Sequence, residues 1–240
     1  SEWQTRLDID ATDVPFTWDQ VHEHSSATSE ELQLASTASQ RVEWIAGLYY
    51  LHEDATQSLN IFFTPFGANI NYPDVNNVTR AQAIFGQATV HVLDRLRVTA
   101  GLRYSREKRT GTFHEVITDP YGILTGVPGG IVLPLDSVGQ QTWTAWTPKF
   151  ALEYDLTPDV MGYLSATRGF KSGGWNPVPP STNVGVPGQI GAPVAYDPEK
   201  VDSYELGTKY QTANRRLRLN LAVFEAKYKG LQLPVFFPGT

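Results

Sequence analysis

Apolar and polar residues alternate one by one along several stretches of this sequence. In residues 96–106, Val98 and Tyr104 fall on one face of an extended chain, whereas Arg97 and Arg103 fall on the other. A period of two is the pattern of a β-strand, because successive side chains of a strand point to opposite faces. The same pattern recurs in residues 42–50, 84–92, 142–154 and 202–210. The alternation therefore predicts an all-β fold.

Two kinds of connection alternate between these stretches. Short polar turns are predicted at residues 37–40, 93–95, 156–159 and 212–215. Long loops rich in Gly, Pro and Asn are predicted at residues 59–78, 113–140 and 173–200. With a further strand in residues 11–24, the pattern indicates about nine antiparallel strands in up-and-down order. Short turns at one end and long loops at the other are typical of a transmembrane β-barrel, with the turns on the periplasmic side.

The composition agrees with that interpretation and excludes several other classes of protein. No stretch of about 18 apolar residues is present, so a transmembrane helix is excluded, whereas a barrel strand needs only about ten residues to cross. The net charge is −6 with no basic block, which argues against a nucleic-acid partner. The chain has no cysteine, which excludes disulfides, thiolate zinc sites and thiol catalysis.

The apolar face has the dimensions of a lipid-facing belt. Trp146 and Tyr154 share a face and lie eight residues apart, which corresponds to about 20 Å of height for a tilted strand. An apolar band about 25 Å tall with aromatic edges is expected for an outer-membrane barrel. The residues predicted to face the lumen on the other side are charged: Arg97, Arg103, Lys149, Glu153, Glu205 and Lys209.

Four motifs in the same order resemble TonB-dependent outer-membrane receptors. They are ELQLAS…VEWIAGLYYLHED at 31–54, FGQATVHVLDRLRVTAGLRYSREKR at 85–109, WTPKFALEYDLTPDVMGYLSATRGFKSGGWN at 146–176 and YDPEKVDSYELGTKYQ at 196–211. The resemblance covers nearly all of the chain from about residue 28. It implies a 22-strand barrel with an N-terminal plug domain, a scarce nutrient such as a ferric siderophore as ligand, and uptake driven by a TonB-type inner-membrane complex that contacts the plug.

The sequence also departs from the pattern of the whole family. We find no energy-coupling box, no plug-like segment and no signal peptide, and Pro238 near the end cannot donate to a strand ladder. A single-chain bacterial barrel also needs an even number of strands. We therefore expect residues 1–240 to be a partial barrel domain without a plug, and we expect this chain alone not to transport a ligand.

The predicted ligand-binding residues lie in the loops at 59–78 and 173–200 or directly before the second of these. Aromatic side chains can stack on planar or sugar-like ligands, and Arg or Lys side chains attract anions such as ferric siderophores. The candidates are Phe62, Phe63, Phe66, Tyr72, Arg168, Phe170, Lys171, Trp175 and Tyr196.

A resident metal, cofactor or catalytic centre is not predicted. His22 and His24 share a strand face, but the sequence offers no third ligand for a closed zinc site. No G-x-S-x-G nucleophile motif is present, and we expect no enzymatic activity. Three alternatives stay open at this point: a passive porin, a soluble secreted β-sandwich that binds carbohydrate, and an outer-membrane hydrolase barrel with lumen carboxylates such as Glu153 and Glu205.

Overall fold

The computed structural model describes residues 2–8, 17–37, 41–122, 128–175 and 195–233. Strands dominate this part of the chain. Their bounds are β1 Glu2–Asp8, β2 Thr17–Ala35, β3 Val42–Phe63, β4 Ala68–Leu93, β5 Leu96–Asp119, β6 Ile131–Thr157, β7 Val160–Lys171, β8 Gly174–Trp175, β9 Ala195–Tyr196, β10 Glu199–Gln211 and β11 Arg218–Lys229.

Nine of these strands form a single antiparallel sheet in the order β1-β2-β3-β4-β5-β6-β7-β10-β11. Each strand pairs with the next one along the chain, except that β8 and β9 form a separate two-stranded sheet between β7 and β10. Within the described residues β1 and β11 each have one neighbour, so the sheet is an open arc. The predicted up-and-down arc of about nine strands is confirmed.

Short turns lie at one end of the sheet, where they were predicted. Residues 94–95 connect β4 to β5, and residues 158–159 connect β6 to β7. The turn between β10 and β11 is closed by a hydrogen bond from the Thr212 amide to the Leu217 carbonyl, 3.0 Å long. Of the turn predicted at residues 37–40, residues 38–40 lie outside the described part of the chain.

The bounds of the long loops differ from the prediction, because most of those residues are strand. Residues 59–78 belong to β3 and β4, which are joined by a 3-10 turn at Thr64–Phe66 that ends on Gly67 with a φ of 59°. Residues 113–119 extend β5, and β6 begins at Ile131. In the third loop, residues 176–194 lie outside the described part. As a result, β3 to β6 run for 22 to 27 residues each, far longer than a membrane crossing requires.

The two faces of the sheet differ in polarity. The registers place Trp44, Phe150 and Tyr204 on one face, which we call the outer face, and these apolar side chains are exposed. Trp146 and Tyr154 lie on that face, 58% and 42% exposed, as the belt interpretation predicts. The six charged residues predicted for the lumen all lie on the opposite, inner face. No helix in the described residues is long and apolar enough to span a membrane.

Candidate ligand-binding surface

A cluster of buried apolar residues lies on the inner face, in the half of the sheet remote from the short turns. Tyr72 and Val75 of β4 and Phe113 of β5 are each 1% exposed and contact one another. Leu59, Ile70 and Trp175 pack against them. We call these six residues the inner cluster. A buried group of this kind on the inner face stabilises the long hairpins against each other above the apolar belt.

A β-bulge explains how Tyr72 joins the cluster. Tyr72 and Val75 are three residues apart, so in a regular strand their side chains would point to opposite faces. The register between β4 and β5 shifts between Asn71 and Asp74, which turns both side chains to the inner face. The bulge contains Pro73, which lacks the amide that a regular ladder position would use.

The segment that follows β7 folds inward and contacts the same region. The hydroxyl of Ser172, which is 5% exposed, donates a hydrogen bond to Glu107 of β5. The side-chain amide of Gln232, near the end of the described chain, donates to the Ser172 carbonyl at 2.9 Å and to the Asp197 carbonyl at 3.1 Å. These bonds hold the Ser172–Trp175 segment against the inner face.

Trp175 lies at the centre of this contact. Its ring is 6.3 Å from the ring of Trp143, centroid to centroid, at an interplanar angle of 59°. A Cβ atom built on Gly111 would lie 2.8 Å from Cε2 of Phe113 and 3.0 Å from Cδ1 of Trp175, so this glycine provides space for both rings. The indole Nε1 is buried and has no hydrogen-bond partner in the described part of the chain. A buried N–H donor without an acceptor costs free energy unless a water or a ligand accepts a hydrogen bond from it.

Two arginines lie on the inner face of β5, Arg109 two residues before Gly111 and Arg103 ten residues before Phe113. The Arg103 guanidinium lies 5.2 Å from the Tyr49 ring centroid and 5.6 Å from that of Phe85, and its Nε donates to Ser105 at 3.1 Å. Arg109 lies further along β5, with its Nε 2.6 Å from Glu107 Oε1. The aromatic contacts hold the Arg103 side chain in place without neutralising it, so it can attract an anion.

A polar concavity of about 560 Å³ occupies the inner face nearer the short turns. Its lining includes Glu43, Lys149, Glu205 and Lys209. Arg97, also in the lining, contacts Glu153 at 3.0 Å and lies 2.6 Å from an oxygen of Asp155. The alternation in the sequence therefore predicted the polar surface of the lumen correctly.

The structure brings three of the predicted ligand-binding residues together. Tyr72 and Trp175 belong to the inner cluster, and Tyr196 lies beside Gly174 in the β8–β9 pair. Phe63 and Lys171 also lie on the inner face, opposite Ala68 and Glu199 respectively. The side chain of Phe66 lies outside the described part.

Three other predicted residues lie on the outer face. Phe62 stacks on Trp18 with a centroid distance of 3.9 Å. Phe170 lies on the same face as Arg168, whose Nε is 2.6 Å from Asp202. That hydrogen bond from Arg168 holds the pKa of the Asp202 carboxyl below its usual range. These three side chains are therefore separated from the inner cluster by the thickness of the sheet.

Sequence reasoning missed several residues of this surface. Glu107, Arg109 and Phe113 follow Arg103 at even spacing along β5, and Trp143 precedes Lys149 in the same way along β6. The signal was available, because the alternation places Trp143 on the inner face within the predicted strand 142–154, and its continuation past residue 106 places the other three there. For Ser172 and Gln232 the sequence carries no comparable signal.

The described residues contain no group of three His, Asp or Glu side chains arranged to hold a metal ion. His22 Nε2 lies 3.1 Å from Glu2 Oε1 on the neighbouring strand, and both residues are exposed. The His22-Glu23-His24 segment is thus an ordinary polar part of β2.

Comparison with known proteins places this geometry in a family. The pesticin receptor of Yersinia enterocolitica is 27% identical over 207 residues, which cover 85% of this chain and 27% of the receptor. The metal-pseudopaline receptor CntO of Pseudomonas aeruginosa is 33% identical over 96 residues, 40% of this chain and 12% of that protein. The chain thus spans about a quarter of the length of the pesticin receptor.

A solved structure with the same fold is the ferric yersiniabactin uptake receptor FyuA from Yersinia pestis. The two structures superpose with a TM-score of 0.73 at 21% identity. The aligned part is 91% of this chain and 31% of the receptor. The family model "TonB dependent receptor-like, beta-barrel" matches residues 3–240. This chain belongs to the β-barrel of the TonB-dependent receptor family of outer-membrane proteins.

Proposed function

We propose that this chain forms part of the barrel wall and the extracellular hairpins of a receptor that takes up a ferric siderophore across the outer membrane. The family consists of receptors and transporters, and we propose no enzymatic role. We also propose that residues 1–240 all belong to the barrel domain. A plug domain formed by other residues of the protein would fill the lumen and contact a TonB-type energy-coupling protein.

The observation that carries this proposal is the surface around the inner cluster. It combines buried aromatic rings and the unpartnered indole nitrogen of Trp175 with the guanidinium of Arg109, which lies two residues before Gly111 on the inner face of β5. Ferric siderophores are large chelates that carry aromatic or polar groups and negative charge. Aromatic faces and arginine side chains are suited to that chemistry.

One relative supports a metal complex as the class of ligand: the receptor CntO, by its name, binds metal-pseudopaline. A passive porin would not need a buried aromatic cluster on its lumen side, because diffusion through a porin uses an open aqueous channel.

Uptake of ⁵⁵Fe by cells that express the protein carrying this chain tests the proposal. Cells without other siderophore receptors would be offered ⁵⁵Fe complexed with each of a panel of catecholate, phenolate and carboxylate siderophores. We expect energy-dependent uptake of at least one complex. We also expect Trp175→Ala and Arg109→Gln to lower its binding about tenfold each, as removal of an aromatic contact or a charge-assisted hydrogen bond predicts.

The matched control is Arg216→Gln, which removes an exposed cation at the short-turn end and should leave uptake unchanged. Surface amounts of each variant would be measured by antibody labelling. Absence of uptake for every complex, with the protein correctly inserted, would show that the ligand is of another class. Equal uptake by wild type and both inner-face variants would show that the inner cluster does not bind the ligand.

A further inference from the structure

Three cations lie together on the outer face, directly above the aromatic edge of the apolar belt. The β4–β5 register pairs Arg80 with Lys108, and it pairs Gln82 with Arg106. Arg106 is therefore a diagonal neighbour of Arg80. Side chains opposite each other in an antiparallel sheet have Cβ atoms about 5 Å apart, and diagonal neighbours about 7–8 Å apart. We call Arg80, Arg106 and Lys108 the outer cationic patch.

The outer cationic patch lacks neutralising partners within the protein. None of the three side chains makes an ion pair or a side-chain hydrogen bond within the described residues. Like charges directly opposite each other destabilise a sheet. Two acids share this part of the outer face, but neither forms an ion pair with the patch in the described residues: Asp54 accepts a hydrogen bond from Asn76 at 3.0 Å, and Glu30 lies on β2 opposite Tyr50, three strands from Lys108.

The neighbour of the patch on β3 is His52. The register places it opposite Arg80, and its ring Nδ1 is buried with no hydrogen-bond partner in the described part of the chain. Because the His52 nitrogen is buried, the three cations of the patch are the groups that an oxygen-rich anion can reach.

The position of the patch defines the kind of anion. Tyr104 and Trp146, with rings 4.7 Å apart, mark the extracellular edge of the apolar belt on β5 and β6. Arg106 and Lys108 follow Tyr104 on the same face of β5. Aromatic rings at a membrane interface lie at the depth of the lipid headgroups. Cations one or two residue pairs above them are therefore at the depth of lipid phosphates, which Arg and Lys bind through charge-assisted hydrogen bonds.

We propose that the outer cationic patch binds the phosphorylated headgroup of an outer-leaflet lipid. The headgroup phosphate supplies the negative charge that the sheet lacks at this place, and the lipid chains lie along the apolar belt below. This inference depends on the membrane position of the barrel and is independent of the nutrient that the receptor takes up.

The test uses the protein carrying this chain, purified from outer membranes and delipidated in detergent. The probes are a phosphorylated diglucosamine lipid and the same lipid after enzymatic removal of its phosphates. We expect the wild type to bind the phosphorylated form at least tenfold more tightly. Arg80→Gln with Lys108→Gln should weaken binding of that form about 30-fold, since each cation near a lipid surface contributes roughly fivefold.

The control double variant, Arg95→Gln with Arg216→Gln, removes the same charge at the short-turn end and should change the affinity less than twofold. Equal affinity of the wild type for the two lipid forms would overturn the proposal, and this comparison requires no variant to fold. Unchanged binding by the folded Arg80/Lys108 variant would overturn it too. Displacement of the lipid by an equal concentration of inorganic phosphate would show that the patch binds free phosphate instead.

Discussion

Gly111 is a buried residue on the inner face of β5, and its missing side chain leaves the space that the rings of Phe113 and Trp175 fill. The opposite residue on β6 is Gly139, so two strands together lack side chains at this point. Glycine in a strand lowers its stability but allows another element to approach closely. Here it allows the segment after β7 to lie against the wall of the arc.

We therefore expect Gly111→Val to displace Trp175 and the segment that carries it. Overpacking of this kind costs about 1–3 kcal/mol, which increases the undocked population roughly tenfold or more. The measurement is the rate at which a thiol reagent modifies Ser172→Cys. The natural chain has no cysteine, and Ser172 is 5% exposed when the segment is docked. The labelling rate should rise about tenfold in the Gly111→Val background.

The control is Gly86→Ala, on the neighbouring strand, where the nearest atom to an added Cβ is 3.8 Å away. It should leave the labelling rate of Ser172→Cys unchanged. If Gly111→Val also left the rate unchanged while the barrel remained folded, the docking of Trp175 in the glycine-lined space would be refuted.

The strand boundaries were predicted well in the half of the sheet near the short turns and poorly in the half remote from them, and the surroundings of the strands explain why. Between the short turns and Tyr104, lipid on one side and a lumen on the other impose opposite polarities, and the sequence alternates. Above the belt, water reaches both faces, so nothing requires apolar residues at every second position. Residues 68–77 of β4 are rich in Asn with a Pro and therefore resemble a loop. Their strand conformation comes from the ladders with β3 and β5.

The same reasoning accounts for β11, whose alternation ends after Val223. Val223 lies opposite Leu206 within the belt, whereas Glu225 and Lys227 lie on the outer face opposite Tyr204 and Asp202. Polar residues replace apolar ones on that face because the strand has left the hydrocarbon. The loss of alternation therefore marks the upper edge of the membrane.

A charge placed on the outer face of β6 tests the assignment of the two faces. Phe150 lies between Trp146 and Tyr154 and is 45% exposed. We expect Phe150→Arg to destabilise the folded barrel by about 2–4 kcal/mol, the cost of an arginine near the bilayer midplane. Urea titration of the protein in lipid vesicles, followed by its heat-modifiable mobility on gels, measures the difference.

The matched variant is Ser165→Arg, which places the same side chain on the inner face of β7. Ser165 lies opposite Glu205 in a water-accessible concavity, so the new arginine gains a carboxylate partner. Its effect on stability should stay below about 1 kcal/mol. Equal destabilisation by both substitutions would mean that both faces are dry, as in a sandwich of two stacked sheets.

The candidate site forms only when distant parts of the chain meet in the sheet. Its residues come from β3, β4, β5, β6, the segment after β7 and Gln232. Alternation assigns each strand residue to a face, but it gives no distance between residues on strands that are far apart in sequence. The bulge that turns Tyr72 inward and the hydrogen bond from Ser172 to Glu107 both depend on the assembled sheet. The polar lumen was therefore predictable from the sequence, whereas the inner cluster was not.

The open edges of the sheet lead to the expectation that residues 1–240 alone do not transport a ligand. In the described structure β1 and β11 each pair on one side, and the outer face exposes many apolar side chains. In hydrocarbon each unpaired backbone group costs several kcal/mol, so an open arc cannot form a sealed wall.

We expect this chain, expressed alone and refolded in detergent, to form oligomers through its edges in size-exclusion chromatography. In liposomes this chain alone should accumulate no ⁵⁵Fe-siderophore. As a control for a sealed wall, liposomes that contain the protein carrying this chain, with its plug, are expected to retain an encapsulated dye. A monodisperse monomer that closes on itself and accumulates the chelate would contradict the unpaired edges, because those edges would then have found partners within these 240 residues.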